Sequence, residues 1–315
     1  MTKSMDTASS PLETAVLFLI FNRPDTTDKV FEAIRNARPP RLYIASDGPQ
    51  PGKKGEAELV DGLRSSTLEN VDWPCEVHTL FRDTNLGCKL AVSGAITWFF
   101  SKEEQGIILE DDCLISPTFY LFCQTLLQRY ANDESVAGIT ADFRPLKSKN
   151  EPDTFGRIGY PLIWGWASWR RVWKNYDPDV KKWTGNINDF PRLAVKPSAT
   201  QQYLKMVFDG VKEGQLDTWD FQFNFMCQLH EQDFLYPHVN MITNIGFAGN
   251  ATHTDNPHDT NAMLPRADVK FPLAPELPGR AYEHWLDKKV FSAKSITTKA
   301  MNRLYRWSMA MRSNS

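Results

Sequence analysis

At 315 residues the chain is long enough to bury a sizeable core, as one large α/β domain or as two small ones. Hydrophobic residues at 42% and charged residues at 23% match an ordinary soluble globular protein, and a formal net charge of -2 sets up no global field that would select nucleic acid. The five cysteines, Cys75, Cys88, Cys113, Cys123 and Cys227, are odd in number and form no Cys-x-x-Cys pair. That pattern argues against a disulfide framework and a zinc site, and for a reducing compartment.

Residues 1–13 read as a disordered start, and the longest early apolar run, 15–21, is of strand length and too short to span a bilayer, so a cytoplasmic protein is expected. That run is a first buried strand, and it stops at Asn22-Arg23-Pro24-Asp25. Asp25, Thr26 and Thr27 offer capping oxygens for a helix over 27–37 with Val30, Phe31 and Ile34 on one face. Residues 41–45 form a second strand ending at Ser46-Asp47-Gly48-Pro49. A helix over 56–68 and a half-exposed strand over 75–81 follow, the latter running into Arg82-Asp83-Thr84-Asn85-Leu86-Gly87. The helix over 88–101 is expected to turn Leu90, Ala91, Ala95, Trp98 and Phe99 inward. Next, Gly106-Ile107-Ile108-Leu109 reads as a buried parallel strand that opens into Glu110-Asp111-Asp112. Pro117 suits the first turn of a helix reaching Tyr130, and 135–140 make a fifth strand. This alternation predicts an open, mostly parallel α/β sheet flanked by helices.

The second half is less regular. Residues 143–156 read as a polar, mobile loop, and 160–173 are dense in aromatics around Trp164-Gly165-Trp166. Trp164, Trp166 and Trp169 could be core, but the glycine between two tryptophans suggests a sharp bend exposing a ring face, which suits stacking on a sugar. Helices are expected over 198–210 and 218–229, extended structure over 234–245, and a loop over 249–254 in which His253 could bind a metal or a phosphate. Asp217 and Asp220 both suit the start of the second of these helices. From residue 283 to 315, lysines and arginines alternate with apolar residues. Such a tail fits an amphipathic helix on an anionic membrane surface as well as one docked on the domain.

Three adjacent acids at a strand end need a cation. Side chains alternate along an extended chain, so Glu110 and Asp112 are expected on one side and Asp111 on the other. Their hard oxygens suit Mg2+ or Mn2+, which prefer a few carboxylates plus substrate phosphates to a closed protein cage. Neither Gly-x-Gly-x-x-Gly nor Gly-x-x-x-x-Gly-Lys-Ser/Thr occurs, so a bound nucleotide would have its phosphates held by the metal.

Ile108-Leu109-Glu110-Asp111-Asp112, followed by Ser116-Pro117-x-Phe119, resembles the Glu-Asp-Asp form of the Asp-x-Asp motif of GT-A nucleotide-sugar glycosyltransferases. More narrowly it is similar to bacterial nucleotide-diphospho-sugar transferases distantly related to N-acetylglucosaminyltransferase I. Asn22-Arg23, Ser46-Asp47, the Trp-Gly-Trp segment, Thr218-Trp219-Asp220 and Thr252-His253 add weaker support, and the likeness covers 14–254. It implies a Rossmann-like GT-A domain over 14–282, with a nucleotide-sugar half (14–142) and an aromatic-rich acceptor half (143–282). Arg23 and Asp47 would flank the base, the Asp47 carboxylate accepting the uracil imide N–H, with Asn22, Arg82 and Asn85 on the same side. Asp112 would bind the metal, and Glu110 and Asp111 the ribose or metal-bound waters. Asp220 would be the catalytic base, preferred to Asp217 because it follows Trp219. The activity implied is an inverting, metal-dependent transfer from a UDP-sugar to a glycan or lipid-linked acceptor in bacterial surface polysaccharide synthesis. Two other classes fit the acids: a metal-dependent nucleotidyltransferase or phosphohydrolase, and a non-catalytic nucleotide-sugar-binding scaffold subunit.

Overall fold

The short apolar runs at the front of the chain pair side by side. In the computed structural model, which describes residues 12–145, 154–246 and 264–291, these runs are β1 (Ala15–Ile20), β2 (Arg41–Ser46), β3 (Glu76–Phe81) and β4 (Gln105–Glu110). β1 is buried along its whole length and pairs in parallel with β2 on one side and β4 on the other, while half-exposed β3 closes the edge beside β2. Parallel neighbours need crossovers, which α1 (Pro24–Ala37), α2 (Glu56–Glu69) and α3 (Gly87–Lys102) supply. α3 lies so close to β4 that a Cβ at Gly106 would collide with the Phe99 ring.

After β4 come β5 (Cys113–Ile115), α4 (Phe119–Arg129), β6 (Val136–Thr140), β7 (Phe155–Ile158) and β8 (Trp166–Trp169). Then follow α5 (Arg170–Trp173), α6 (Pro191–Ala194), α7 (Ser198–Lys212), α8 (Asp220–Leu229), β9 (Asp233–Pro237), β10 (Ile242–Asn244) and α9 (Ala281–Leu286). The eight-stranded sheet runs β3-β2-β1-β4-β8-β6-β9-β7, and β10 and β5 form a second, two-stranded sheet. β8 is antiparallel to both β4 and β6, and β7 is antiparallel to β9, so β3, β2, β1, β4, β6 and β9 share one direction. The α/β class with a mostly parallel, helix-flanked sheet is as expected.

Several local expectations are corrected. α1 starts at Pro24, and no side chain caps it; the Thr27 hydroxyl instead donates to the Arg23 carbonyl at 2.7 Å. Leu90 is 52% exposed: at about 100° per residue it falls on the opposite face of α3 from Ala95, Ile96 and Phe99. The extended stretch 234–245 divides into β9 and β10, which belong to different sheets.

Beneath the second half of the sheet, Trp166, Trp173, Trp219, Phe223 and Phe234 pack as one aromatic core. α9 and the π-helical turn Asp287–Phe291 are docked rather than displayed, with Tyr282, Glu283, Leu286, Asp287 and Phe291 buried. The first residues of the basic tail are thus part of the fold, and 292–315 lie outside the described residues. Among the described residues no helix is long and apolar enough to cross a membrane.

Candidate active site at the carboxyl edge of the sheet

The β1–β4 register sets Leu19 opposite Glu110, and the β1–β2 register sets Ile20 opposite Ser46. Arg23, Asp47 and the three acids therefore emerge along one edge, where open α/β sheets form ligand crevices. Arg23 Nη1 donates to Asp112 Oδ2 at 2.8 Å and lies 3.5 Å from Asp111 Oδ1. The Phe21 N–H donates to Asp111 Oδ2 at 3.3 Å. The expected division of Asp111 from Asp112 does not occur: β4 ends at Glu110 and the chain turns before β5, so strand alternation stops and both aspartates face one guanidinium.

Asp112 is seated from behind. Its Oδ1 lies 3.5 Å from both Asn244 Nδ2 and Cys113 Sγ, its carbonyl accepts from the Ile245 N–H at 2.9 Å, and a Cβ at Gly246 would collide with it. Glu110 Oε1 is buried with no hydrogen-bond partner among the described residues. Burial, followed by the charges of Asp112, Asp111 and Asp220, pushes the Glu110 carboxyl up to about 8 against the opposing pull of Arg23. Burial and Asp112 likewise raise Asp111, to about 7.

Among the described residues no group of three or more His, Cys, Asp or Glu is arranged to enclose a metal. The donor set still fits a divalent cation shared with a ligand, since it offers hard oxygens, excess negative charge and an unpartnered buried carboxylate oxygen. His253 lies outside the described residues.

Asp220 and Asp217 separate clearly. Asp220 opens α8, accepts a hydrogen bond from the Thr218 hydroxyl and is near enough to Glu110 to raise it electrostatically. Asp217 serves a different helix: it accepts from the Cys88 N–H at 3.1 Å and the Lys89 N–H at 2.9 Å, capping the first turn of α3. Trp219 is buried against Trp166 at 5.7 Å between ring centroids and anchors the start of α8.

The residues expected on the nucleotide side mostly shape loops. Asp47 accepts from the Leu86 and Gly87 N–H groups at 3.0–3.1 Å, and Asn85 Nδ2 donates to the Gly48 carbonyl at 2.8 Å. Arg82 lies along α3, with Nη1 3.3 Å from the Ala91 carbonyl. Asn22 Nδ2 donates at 2.6 Å to Glu56, a buried acid that also accepts from the Gln50 N–H at 2.6 Å and from Lys53 Nζ at 2.8 Å. Glu56 thus ties the end of β1 to the loop after β2. In the sequence it is one more acid at a helix start, and nothing local points to a partner 34 positions away. That loop borders a 510 Å³ cavity lined in part by Gln50, Lys53, Lys54, Asp83, Thr84 and Asn85.

The aromatic segment departs from expectation. Gly165 makes the bend, with φ +59, but the bend turns Trp166 into the core at 0% exposure, so no face of that ring is open to a sugar. Trp169 is buried too. Trp164 is half-buried beneath the Arg144 guanidinium, 5.1 Å from the ring centroid, and Arg144 Nε and Nη2 hold buried Asp142 at 2.8–3.1 Å.

No family model matches the chain, and no curated protein matches it. Among solved structures, it is similar to a UDP-glucose pyrophosphorylase complexed with UDP-glucose (10% identity, TM-score 0.36, 71% of this chain and 89% of that one). It is also similar to residues 1–349 of TarS from S. aureus (11%, 0.39, 71% and 57%). A third is the mannosyltransferase PcManGT from Pyrobaculum calidifontis in complex with GDP-Man and Mn2+ (9%, 0.37, 72% and 70%). Overlaps this loose carry no functional weight, which falls on the geometry of the site itself.

Proposed function

We propose that the chain is a GT-A glycosyltransferase that moves a sugar from a UDP-sugar to an acceptor hydroxyl with inversion. The observation that carries this reading is the Glu110-Asp111-Asp112 cluster at the carboxyl edge of the sheet, with its buried Glu110 oxygen unpartnered among the described residues, suited to a cation-bound diphosphate and within electrostatic reach of the helix-borne Asp220. Asp112, with Asp111 and Glu110 behind it, would hold Mn2+ or Mg2+, which when bound would neutralise charge developing on the leaving diphosphate. Asp220 takes the proton from the acceptor hydroxyl as that oxygen attacks the anomeric carbon. The bond from that carbon to the diphosphate oxygen breaks, and its electron pair leaves with the diphosphate. Thr218 orients the Asp220 carboxylate through its hydroxyl. Asn22, Asp47, Arg82 and Asn85 shape the loops that border the donor nucleotide.

In this reading 14–142 form the donor half and 143–282 the acceptor half. The setting is cytoplasmic surface polysaccharide synthesis, with a glycan or lipid-linked acceptor reached with the help of the tail.

The test is release of nucleoside diphosphate from a panel of UDP-sugars by the wild type, Asp220→Asn and Asp217→Asn. Asp220→Asn is expected to lose about 10²–10⁴-fold in kcat while still binding donor. Asp217→Asn keeps an amide oxygen that can accept at the start of α3, so it is expected to cost less than about 1 kcal/mol of stability and to keep its chemistry. Wild-type turnover by Asp220→Asn would remove it as the base. Release of pyrophosphate instead would favour a nucleotidyltransferase, and binding without turnover a scaffold subunit.

A further inference from the structure

The start of α3 is held by two aspartates from distant parts of the chain. The first N–H groups of a helix have no acceptor within it, and here four in succession find carboxylates. Leu86 and Gly87 donate to Asp47, which follows β2, and Cys88 and Lys89 donate to Asp217, which precedes α8, at 3.1 and 2.9 Å. Gly87 makes room for the second of these contacts. It takes the left-handed conformation at φ +77, and a Cβ there would lie 2.7 Å from Asp217 Oδ2.

Asp217 stands three positions ahead of Asp220. Residues 213–217, which lead from α7 toward α8, are exposed, so packing holds this stretch weakly. Three residues span at most about 10 Å, and fixing Asp217 on α3 therefore restricts where the Asp220 carboxylate can sit. Trp219 anchors the same segment from the core side, against Trp166. The first turn of α3 itself borders the acids: burial, then the charges of Glu110, Asp220, Asp217 and Asp47, push the Cys88 thiol up to about 12.

We propose that Asp217 is a positioning residue: by capping α3 it clamps the start of α8 to the helix that leads into β4, and so holds Asp220 within reach of the acids. This rests on the reading of Asp220 as the base. The crossover that delivers Glu110, Asp111 and Asp112 thereby also fixes the segment that carries the proton acceptor, although the two are more than a hundred positions apart in the chain.

The experiment measures kcat and donor KM, by release of nucleoside diphosphate, for the wild type, Asp217→Ala, Asp217→Asn, Gly87→Ala, Asp220→Asn and the double variant Asp217→Ala/Asp220→Asn. Asp217→Ala is expected to lose about 10–10²-fold in kcat with little change in donor KM, because a displaced base costs rate and not donor binding. Asp217→Asn, which keeps one acceptor for the turn, should stay within about threefold of the wild type. Gly87→Ala, whose Cβ displaces the carboxylate while Asp217 is intact, should reproduce the loss, and it carries the test if Asp217→Ala does not fold. The double variant should fall no further than Asp220→Asn alone, since Asp217 acts through Asp220. Wild-type kcat in Asp217→Ala or Gly87→Ala overturns the proposal, as do losses that multiply in the double variant. A loss in Asp217→Asn as deep as that in Asp220→Asn also overturns it, by making Asp217 the base.

Amide hydrogen exchange tests the clamp without any turnover. In Asp217→Ala, exchange should quicken about tenfold or more at Cys88 and Lys89 and also at Phe223, whose N–H donates to the Trp219 carbonyl at 3.3 Å. Unchanged exchange at Phe223 would show that Trp219 alone holds the start of α8, and overturns the proposal. The two readings fail separately. Faster exchange at Phe223, with wild-type turnover by Asp220→Asn or no turnover by any protein, leaves the clamp and removes the base.

Discussion

Glu110 and Asp111 ionise against their surroundings, because burial and the neighbouring carboxylates favour the protonated acid. Between the ordinary carboxyl range, near 4 to 4.5, and about 7 to 8, the folded protein holds protons that the unfolded chain has already released. Stability conferred by these groups is therefore full at low pH and falls as pH rises through that window. The melting temperature of the metal-free wild type should fall between about pH 5 and about pH 8 more steeply than that of Glu110→Gln. Parallel pH profiles for the two proteins would mean that Glu110 ionises freely. The three acids and their need for a cation are legible in the sequence. Their partner is not, because Arg23 stands 88 and 89 positions away and reaches them only through β1–β4 pairing. Asp217 and Asp220 look alike in the sequence for a related reason: both precede one helix, and only folding brings Asp217 to the start of another.

The elements that were legible share a physical property, which is that their pattern is local. β1, β2 and β4 are short apolar runs between polar loops, and α1 places Val30, Phe31 and Ile34 on one face. β7 and β8 are four residues each, and β8 owes its place to being wedged antiparallel between β4 and β6. Trp166 at its start reads as part of a sugar platform because a bend in sequence does not say which way the ring turns. α9 is held by a partnership equally remote in sequence. Glu283 bonds Lys196, Arg280 at 2.8 Å and the Gly159 N–H at 2.6 Å, and although burial alone would raise its carboxyl, Lys196 and Arg280 hold it at about 2. This stabilisation is present above the ordinary carboxylate range and is lost as pH falls toward 2. Breaking the buried pair should cost about 3–5 kcal/mol in either Glu283→Gln or Lys196→Met, measured by urea unfolding at neutral pH. The double variant should cost clearly less than the sum, and simple additivity would show that the two side chains do not interact.

Across the whole molecule, the shared direction of β1, β2, β3, β4, β6 and β9 sends their carboxyl ends to one edge, and the chemistry-bearing residues collect there without any Gly-rich phosphate loop. Arg23 follows β1, Asp47 follows β2, the acids follow β4, buried Asp142 follows β6, and Asp220 at the start of α8 lies within electrostatic reach of Glu110. The central claim is that this edge binds a nucleoside diphosphate through a cation held at Asp112. Calorimetric titration of UDP into the wild type and Asp112→Ala, with and without Mn2+, tests it most directly. Binding by the wild type that requires Mn2+, weakened about tenfold or more in Asp112→Ala, is the predicted result, and UDP at a hundredfold excess over its Kd should then stabilise the wild type by about 2.7 kcal/mol. Absence of UDP binding under every metal condition, or binding that Asp112→Ala leaves unchanged, would contradict it.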